Sequence, residues 1–180
     1  MLRIIILDRD GVINQDSDDY IKSVDEWQPI EGSIEAISKL SQAGIKVVIA
    51  TNQSGLARGL FDEIELAKMH QKMCELVELA GGTVDGVFYC PHLPADNCQC
   101  RKPKPGLIAS IEKEFNCSAK NAYFIGDSLK DIQAARAAGC TPILVKTGKG
   151  LITLEKSPAE ELANVQVFDN LLGAVNALIN

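Results

Sequence analysis

The sequence lacks any long hydrophobic run. Its wholly apolar stretches, such as Ile4 to Leu7 and Val47 to Ala50, stop at four or five residues, far short of the roughly 20 that span a bilayer. That excludes a spanning helix. An export signal needs a basic start and a longer apolar segment, whereas this chain reaches Asp8, Arg9 and Asp10 directly after its first apolar stretch, so a cytoplasmic location is expected. A cationic excess is missing too: 18 Lys and Arg against 24 Asp and Glu leave a net charge of −6, which disfavours a nucleic-acid groove binder. Six cysteines in 180 residues are too few for a disulfide-built miniprotein. A Walker loop is also absent, because Thr147-Gly148-Lys149-Gly150 has neither the first glycine nor the hydroxyl residue after the lysine.

What is present is a globular composition, 46% apolar and 23% charged, in a chain long enough for one domain over residues 1–180 with a sizeable core. Short β-branched runs at Arg3 to Leu7, Ile45 to Ala50, Asp85 to Tyr89, Ala122 to Ile125, Pro142 to Val145 and Val165 to Phe168 predict buried strands. Helical patterns separate most of them. Ser33 is expected to cap a helix with Ile34, Ile37 and Leu40 on its apolar face and Gly44 at its end. Asp62 and Glu65 resemble a capping box before Met69, Met73, Leu76 and Val77, with Gly81 and Gly82 as the stop. Pro105 suits the first turn of a third helix, Ser128 opens an Ala-rich fourth, and a last begins at Asp169. The alternation predicts an α/β fold: a doubly wound, mostly parallel sheet with helices on both faces.

In such sheets ligands bind beyond the carboxyl ends of the strands. Those positions carry Asp8 and Asp10, Thr51 and Asn52, Cys90 and His92, and Gly126 and Asp127. Asp8 and Asp10 can meet one cation or one substrate, or they can begin a turn before Gly11. Asp127 and Asp131 can join them, or Ser128 through Asp131 can simply cap a helix. Together the carboxylates would repel one another without a cation, and hard oxygen ligands suit Mg²⁺. Phosphate is the partner such a cation invites. Its donors would be Thr51, the amides of Thr51 to Gly55, and the basic run Arg101 to Lys104, which can otherwise be read as a solvated loop.

A second cluster, Cys90, His92, Cys98 and Cys100, lies in a polar loop with Asp96, Asn97 and Gln99. Three thiolates and an imidazole complete a tetrahedron around Zn²⁺ with no open position, so the expected ion is structural. Cys74, Cys117 and Cys140 fit buried small hydrophobes.

Asp8-Arg9-Asp10-Gly11-Val12-Ile13-Asn14, Thr51-Asn52-Gln53-Ser54-Gly55, Arg101-Lys102-Pro103-x-Pro105-Gly106 and Gly126-Asp127-Ser128-x-x-Asp131 resemble, in order, the four motifs of the haloacid dehalogenase superfamily of phosphatases. Within it the chain is most similar to the group that removes the 7-phosphate of heptose 1,7-bisphosphates for lipopolysaccharide core precursors. Histidinol-phosphate phosphatases are the sister group, and a non-enzymatic zinc-bearing module is the distant alternative. The resemblance implies that Asp8 is the nucleophile, Asp10 the acid and then the base, and that Thr51 and Lys102 hold the phosphoryl group. It implies Mg²⁺ on Asp8, the Asp10 carbonyl and Asp127, with Asp131 behind them. Asp16, Asp18, Asp19, Tyr20, Asn52, Gln53, Ser54 and Arg101 would face the sugar, alongside Thr51 and Lys102. Ser128 stands where many members carry Lys. The spacing between motifs leaves no room for an inserted cap, so loops shape the pocket. A monomer acting on a small sugar phosphate is expected, with no nucleic-acid or membrane partner.

Overall fold

The computed structural model describes residues 3–179. Its strands are β1 (Ile4–Leu7), β2 (Lys46–Asn52), β3 (Gly86–Cys90), β4 (Tyr123–Gly126), β5 (Thr141–Val145) and β6 (Gln166–Phe168). Its helices are α1 (Ser33–Gln42), α2 (Glu63–Leu79), α3 (Gly106–Phe115), α4 (Leu129–Ala137), α5 (Gly150–Lys156), α6 (Ala159–Leu162) and α7 (Leu171–Ile179). All strand pairs are parallel, in the order β3-β2-β1-β4-β5-β6. The expected doubly wound α/β sheet is therefore present.

Alternation along the strands divides the core in two. Ile5, Leu7, Val47, Ile49, Ile143 and Val145 pack on α1, α2 and α7, while Ile4, Ile6, Val48, Ala50 and Phe124 pack on α3 and α4. Every residue of β1 is buried, and each such Ile or Leu stabilises the fold by about 1.5–3 kcal/mol. The strand that delivers Asp8 is thus among the firmest parts of the molecule. From β1 the chain winds outward through β2 and β3, then returns to β4 on the other side of β1. The loops after β1 and β4 diverge at this reversal and leave a crevice.

Several local expectations are corrected. Gly32, in the left-handed conformation, caps α1, and Ser33 lies inside the helix with its Oγ donating to the Ile13 carbonyl at 2.6 Å. A long-range partner outcompetes the local cap. Asp62 does cap α2 through the Glu65 amide at 2.8 Å, but the Glu65 carboxylate accepts from the Val24 amide at 2.9 Å. It fastens the 15–31 segment to the helix instead of closing a box. Pro105 sits at the cap of α3, and the last helix starts at Leu171. Strand limits shift by one or two residues, and β2 continues to Asn52, so Thr51 and Asn52 are strand residues. Cys140 is buried as expected, but Cys74 and Cys117 are only half-buried. The crossover helices α5 and α6 were not anticipated: Leu151 and Ile152 of α5 point to solvent and only Gly150 and Thr153 are buried, so no apolar period marks them. No described helix is long and apolar enough to cross a membrane.

Candidate active site

The Asp8 amide donates to the Ile125 carbonyl at 2.9 Å, extending the pairing of β1 with β4 by one residue. The Asp8 carboxylate is held through one oxygen: Oδ1 accepts from the Arg9 amide at 2.8 Å and meets Lys102 Nζ at 2.8 Å. Oδ2 has no hydrogen bond among the described residues. Gly11 turns the chain away at φ +81°, and a Cβ there would fall 2.0 Å from Asp127 Oδ2. Only glycine lets the first loop pass beside the fourth.

Lys102 is the hub. Its Nζ lies 2.8 Å from Asp8 Oδ1, 2.7 Å from Asp131 Oδ1 and 2.8 Å from the Ala50 carbonyl, three acceptors for the three protons of an ammonium. Burial works against its charge, but Asp131 and Asp8 overcome that and raise its pKa. Asn52 fixes its backbone: Oδ1 accepts from the Lys102 amide and Nδ2 donates to the Lys102 carbonyl. Asp131 Oδ2 accepts from the Asp127 amide and from the Ser128 amide and hydroxyl, so the helix cap read from sequence and the site are one structure. Both Asp131 oxygens are engaged, as a residue standing behind a metal ligand would be.

Asp127 Oδ2 accepts from the Lys149 amide at 2.8 Å. Asp8, Asp127 and Asp131 each offer an oxygen within 4.8 Å of the others. Burial, then Asp131, push Asp8 up to about 7 against the pull of Lys102. Burial, then Asp8, push Asp127 up to about 8. One ammonium does not balance three buried carboxylates, and this surplus of hard oxygen donors fits a divalent cation of the Mg²⁺ kind. Asp10 behaves oppositely. Burial works to raise its pKa, but Arg9 and hydrogen bonds from Asn14, Arg9 and Gln53 hold it below the usual carboxylate range.

These groups line a cleft of about 430 Å³ with Thr51, Asn52, Gln53, Ser54, Asp16, Asp18, Tyr20 and Arg101. Gln53 bridges Asp10 Oδ2 and Thr51 Oγ1 at 2.8 and 3.0 Å. Asp19 is exposed and away from the cleft. Lys104, part of the basic run, faces away and stitches the Asn97 and Cys98 carbonyls. Sequence reasoning missed Lys130 and Lys149, which add two cations to the cleft wall; Lys149 Nζ stands 3.5 Å from Asp16 and 3.8 Å from Asp18. Lys130 brings an ammonium to the region where Ser128 lacks one. Lys149 lies in the Thr147 to Gly150 loop, and following β5 to its carboxyl end would have found it.

Beside the cleft, Cys90 Sγ lies 3.6 Å from His92 Nδ1 and from Cys98 Sγ, and Cys100 Sγ lies 3.2, 3.2 and 3.5 Å from Cys90 Sγ, His92 Nδ1 and Cys98 Sγ. A tetrahedron with bonds of about 2.0–2.3 Å has edges of about 3.5–3.8 Å; three of these distances reach 3.5–3.6 Å and two, at 3.2 Å, fall slightly inside it, so the cluster is close to the size that Zn²⁺ takes. Arg101 follows at once, and its Nη1 donates to the His92 carbonyl at 3.3 Å.

Residues 2–139 match the family described as haloacid dehalogenase-like hydrolase. The chain is 54% identical over 171 residues to the D-glycero-beta-D-manno-heptose-1,7-bisphosphate 7-phosphatase of Neisseria meningitidis serogroup A, covering 95% of this chain and 91% of that protein. The Pseudomonas aeruginosa protein of the same name is 53% identical, with 98% and 97% covered. A crystal structure of the D,D-heptose 1,7-bisphosphate phosphatase of Bordetella bronchiseptica, complexed with magnesium and phosphate, superposes with a TM-score of 0.94 at 47% identity over 99% of this chain and 98% of that one. The motifs at the four strand ends and these likenesses agree: the chain belongs to the haloacid dehalogenase-like hydrolases.

Proposed function

We propose that this chain is a magnesium-dependent phosphatase that removes the 7-phosphate of D-glycero-beta-D-manno-heptose 1,7-bisphosphate. It would act as a single-domain cytoplasmic monomer supplying lipopolysaccharide core precursors. The observation that carries the reaction is the Asp8 carboxylate, pinned through Oδ1 by Lys102 and the Arg9 amide with Oδ2 unpartnered. A carboxylate so oriented meets phosphorus along one line, which is how positioning lowers the barrier. Asp8 attacks phosphorus, the bond to the C7 oxygen breaks, and an aspartyl-phosphate forms. Asp10 gives its proton to the leaving oxygen. Because Arg9 holds Asp10 ionised at rest, that proton is taken up when a phosphate dianion arrives beside it. Asp10 then removes a proton from the water that hydrolyses the intermediate.

Thr51 Oγ1 accepts from Gln53, so its own proton is free for a phosphoryl oxygen. Lys102 offsets charge on the same group. Asp8, Asp127 and the Asp10 carbonyl would hold Mg²⁺, which when bound supplies the positive charge that polarises the phosphoryl oxygens. Cys90, His92, Cys98 and Cys100 would hold Zn²⁺, fixing the chain just before Arg101 and Lys102.

The bisphosphate is favoured by the rim. Arg101, Lys130 and Lys149 lie outside the Lys102 hub and give a second phosphate charge-assisted partners. Histidinol phosphate would bring an ammonium to the same three cations. Phosphate release from heptose bisphosphate, histidinol phosphate and simple sugar phosphates decides between them. The heptose should have the highest kcat/KM, with phosphorus NMR showing loss of the 7-phosphate. A higher value for histidinol phosphate, or loss of the 1-phosphate, would overturn the assignment.

A further inference from the structure

Arg9 is a fully buried guanidinium one residue from the nucleophile, and the mechanism above uses it only as a charge. Its Nε and Nη2 both donate to Asp10 Oδ1, at 3.2 and 2.8 Å. Asn14 Nδ2 adds a third donor to that oxygen at 2.8 Å. Oδ1 is thereby saturated, whereas among the described residues Oδ2 accepts from Gln53 alone and keeps a lone pair for proton exchange. The far edge of the guanidinium points out of the site, where Nη1 lies 3.2 Å from Nε2 of His70 on α2. His70 is not among the residues lining the cleft.

We propose that His70 is a positioning residue for the proton-transfer step: it locks Arg9, and Arg9 locks Asp10 so that Oδ2 is the oxygen presented to the leaving group. The inference rests on the reading of Asp10 as acid and base. A guanidinium can only donate, so Nε2 must carry a lone pair and the ring proton must sit on Nδ1. Burial first, and the charge of Arg9 second, push His70 down to about 3, which agrees with a ring kept neutral. Without this acceptor a buried Nη1 would be left unpaired, a penalty relieved by swinging the guanidinium off Asp10. The contact joins positions 61 residues apart, tying α2 to the first loop by a route that touches no substrate.

Two measurements test this. Long-range proton–nitrogen spectra of the intact protein, with His70→Gln identifying the signal among only two histidines, should show His70 protonated on Nδ1 and bare on Nε2. A proton on Nε2 overturns the proposal without reference to activity. Second, the ratio of kcat on the heptose bisphosphate to kcat on p-nitrophenyl phosphate should fall about 10-fold in His70→Phe, a fraction of what a general acid contributes. KM should hold, and His70→Gln, whose carbonyl can still accept from Arg9, should recover most of the ratio. An active wild type whose ratio ignores His70→Phe overturns the positioning role alone. An equal fall on both substrates, or no rescue by Gln, reduces His70 to packing. An inactive wild type overturns the phosphatase reading and this inference with it.

Discussion

The oxygen cluster at Asp8, Asp127 and Asp131 and the sulfur cluster at Cys90, His92, Cys98 and Cys100 both gather groups of one kind, but they are built differently. Around the carboxylates the protein supplies Lys102, the Arg9, Ser128 and Lys149 amides and the Ser128 hydroxyl. The amides and the hydroxyl follow the carboxyl ends of β1, β4 and β5, while Lys102 reaches in from the loop between β3 and α3. Around the sulfurs it supplies one buried strand residue, Cys90, and then a half-buried loop whose ties include Asp96 to the Leu93 amide, Lys104 to Asn97 and Cys98, and Arg101 to the His92 carbonyl. Strand ends make most of the first site, which a cation would complete; in the second, a bound ion would take the place of a core.

The sharpest way to separate them is Asp8→Asn. Turnover should drop by on the order of 10³ or more, because an amide does not attack phosphorus. The Tm of the metal-free variant at pH 8 should hold or rise, since one of three crowded carboxylates is gone. Near-normal hydrolysis would break the mechanism. Cys98→Ser should act through the loop instead of the chemistry. Metal analysis should show about one equivalent of zinc lost, and kcat should fall about 10–100-fold through a misplaced Lys102, the scale of lost metal-site support. Stoichiometric zinc in a Cys98/Cys100 double serine variant would show that the ion is elsewhere.

A smaller effect is expected at the rim. Arg101→Met should raise KM for the bisphosphate about 10-fold, the worth of one charge-assisted bond, and much less for a monophosphate. An equal rise on both would deny Arg101 a second phosphate. The smallest effect is on pH. Asp8 and Asp127 have folded pKa values near 7 and 8, raised from 3.8, so the metal-free folded state holds protons that the unfolded chain has released. Stability should therefore fall as pH rises from about 4 through 8, by on the order of a few kcal/mol. Magnesium should flatten that slope in thermal melts. A metal-free protein equally stable at pH 5 and pH 8 would contradict the buried repulsion.

Much of this was legible in the residues. Ile4 to Leu7 and Val47 to Ala50 announce buried strands, and the rule that doubly wound sheets bind ligands at strand ends brings Asp8, Thr51 and Asp127 together without any coordinates. What escaped reading is decided by partners far along the chain. Ser33 follows a glycine that can also cap a helix, and its hydroxyl goes to Ile13, 20 positions away. Arg9 carries no signal of its own in the sequence, and its part emerges only with its neighbour at His70. Lys130 and Lys149 carry no periodicity and enter the cleft only because α4 and the loop after β5 start there. Asp19 shares its acidic run with Asp16 and Asp18, but the turn at Tyr20, φ +66°, comes directly after it and leaves it outside.

The cations that line the cleft differ in accessibility. Lys102 is 3% exposed, whereas the Lys149 side chain is 51% exposed and Lys130 also stands in solvent. At physiological ionic strength the screening length is about 8 Å, short enough to mute charges standing in water and much less effective on one buried at the strand ends. Salt should therefore erode the preference for a doubly charged substrate while leaving the bond-breaking step nearly untouched. Choice of substrate, in this architecture, would then be tuned by the medium, and the chemistry insulated from it.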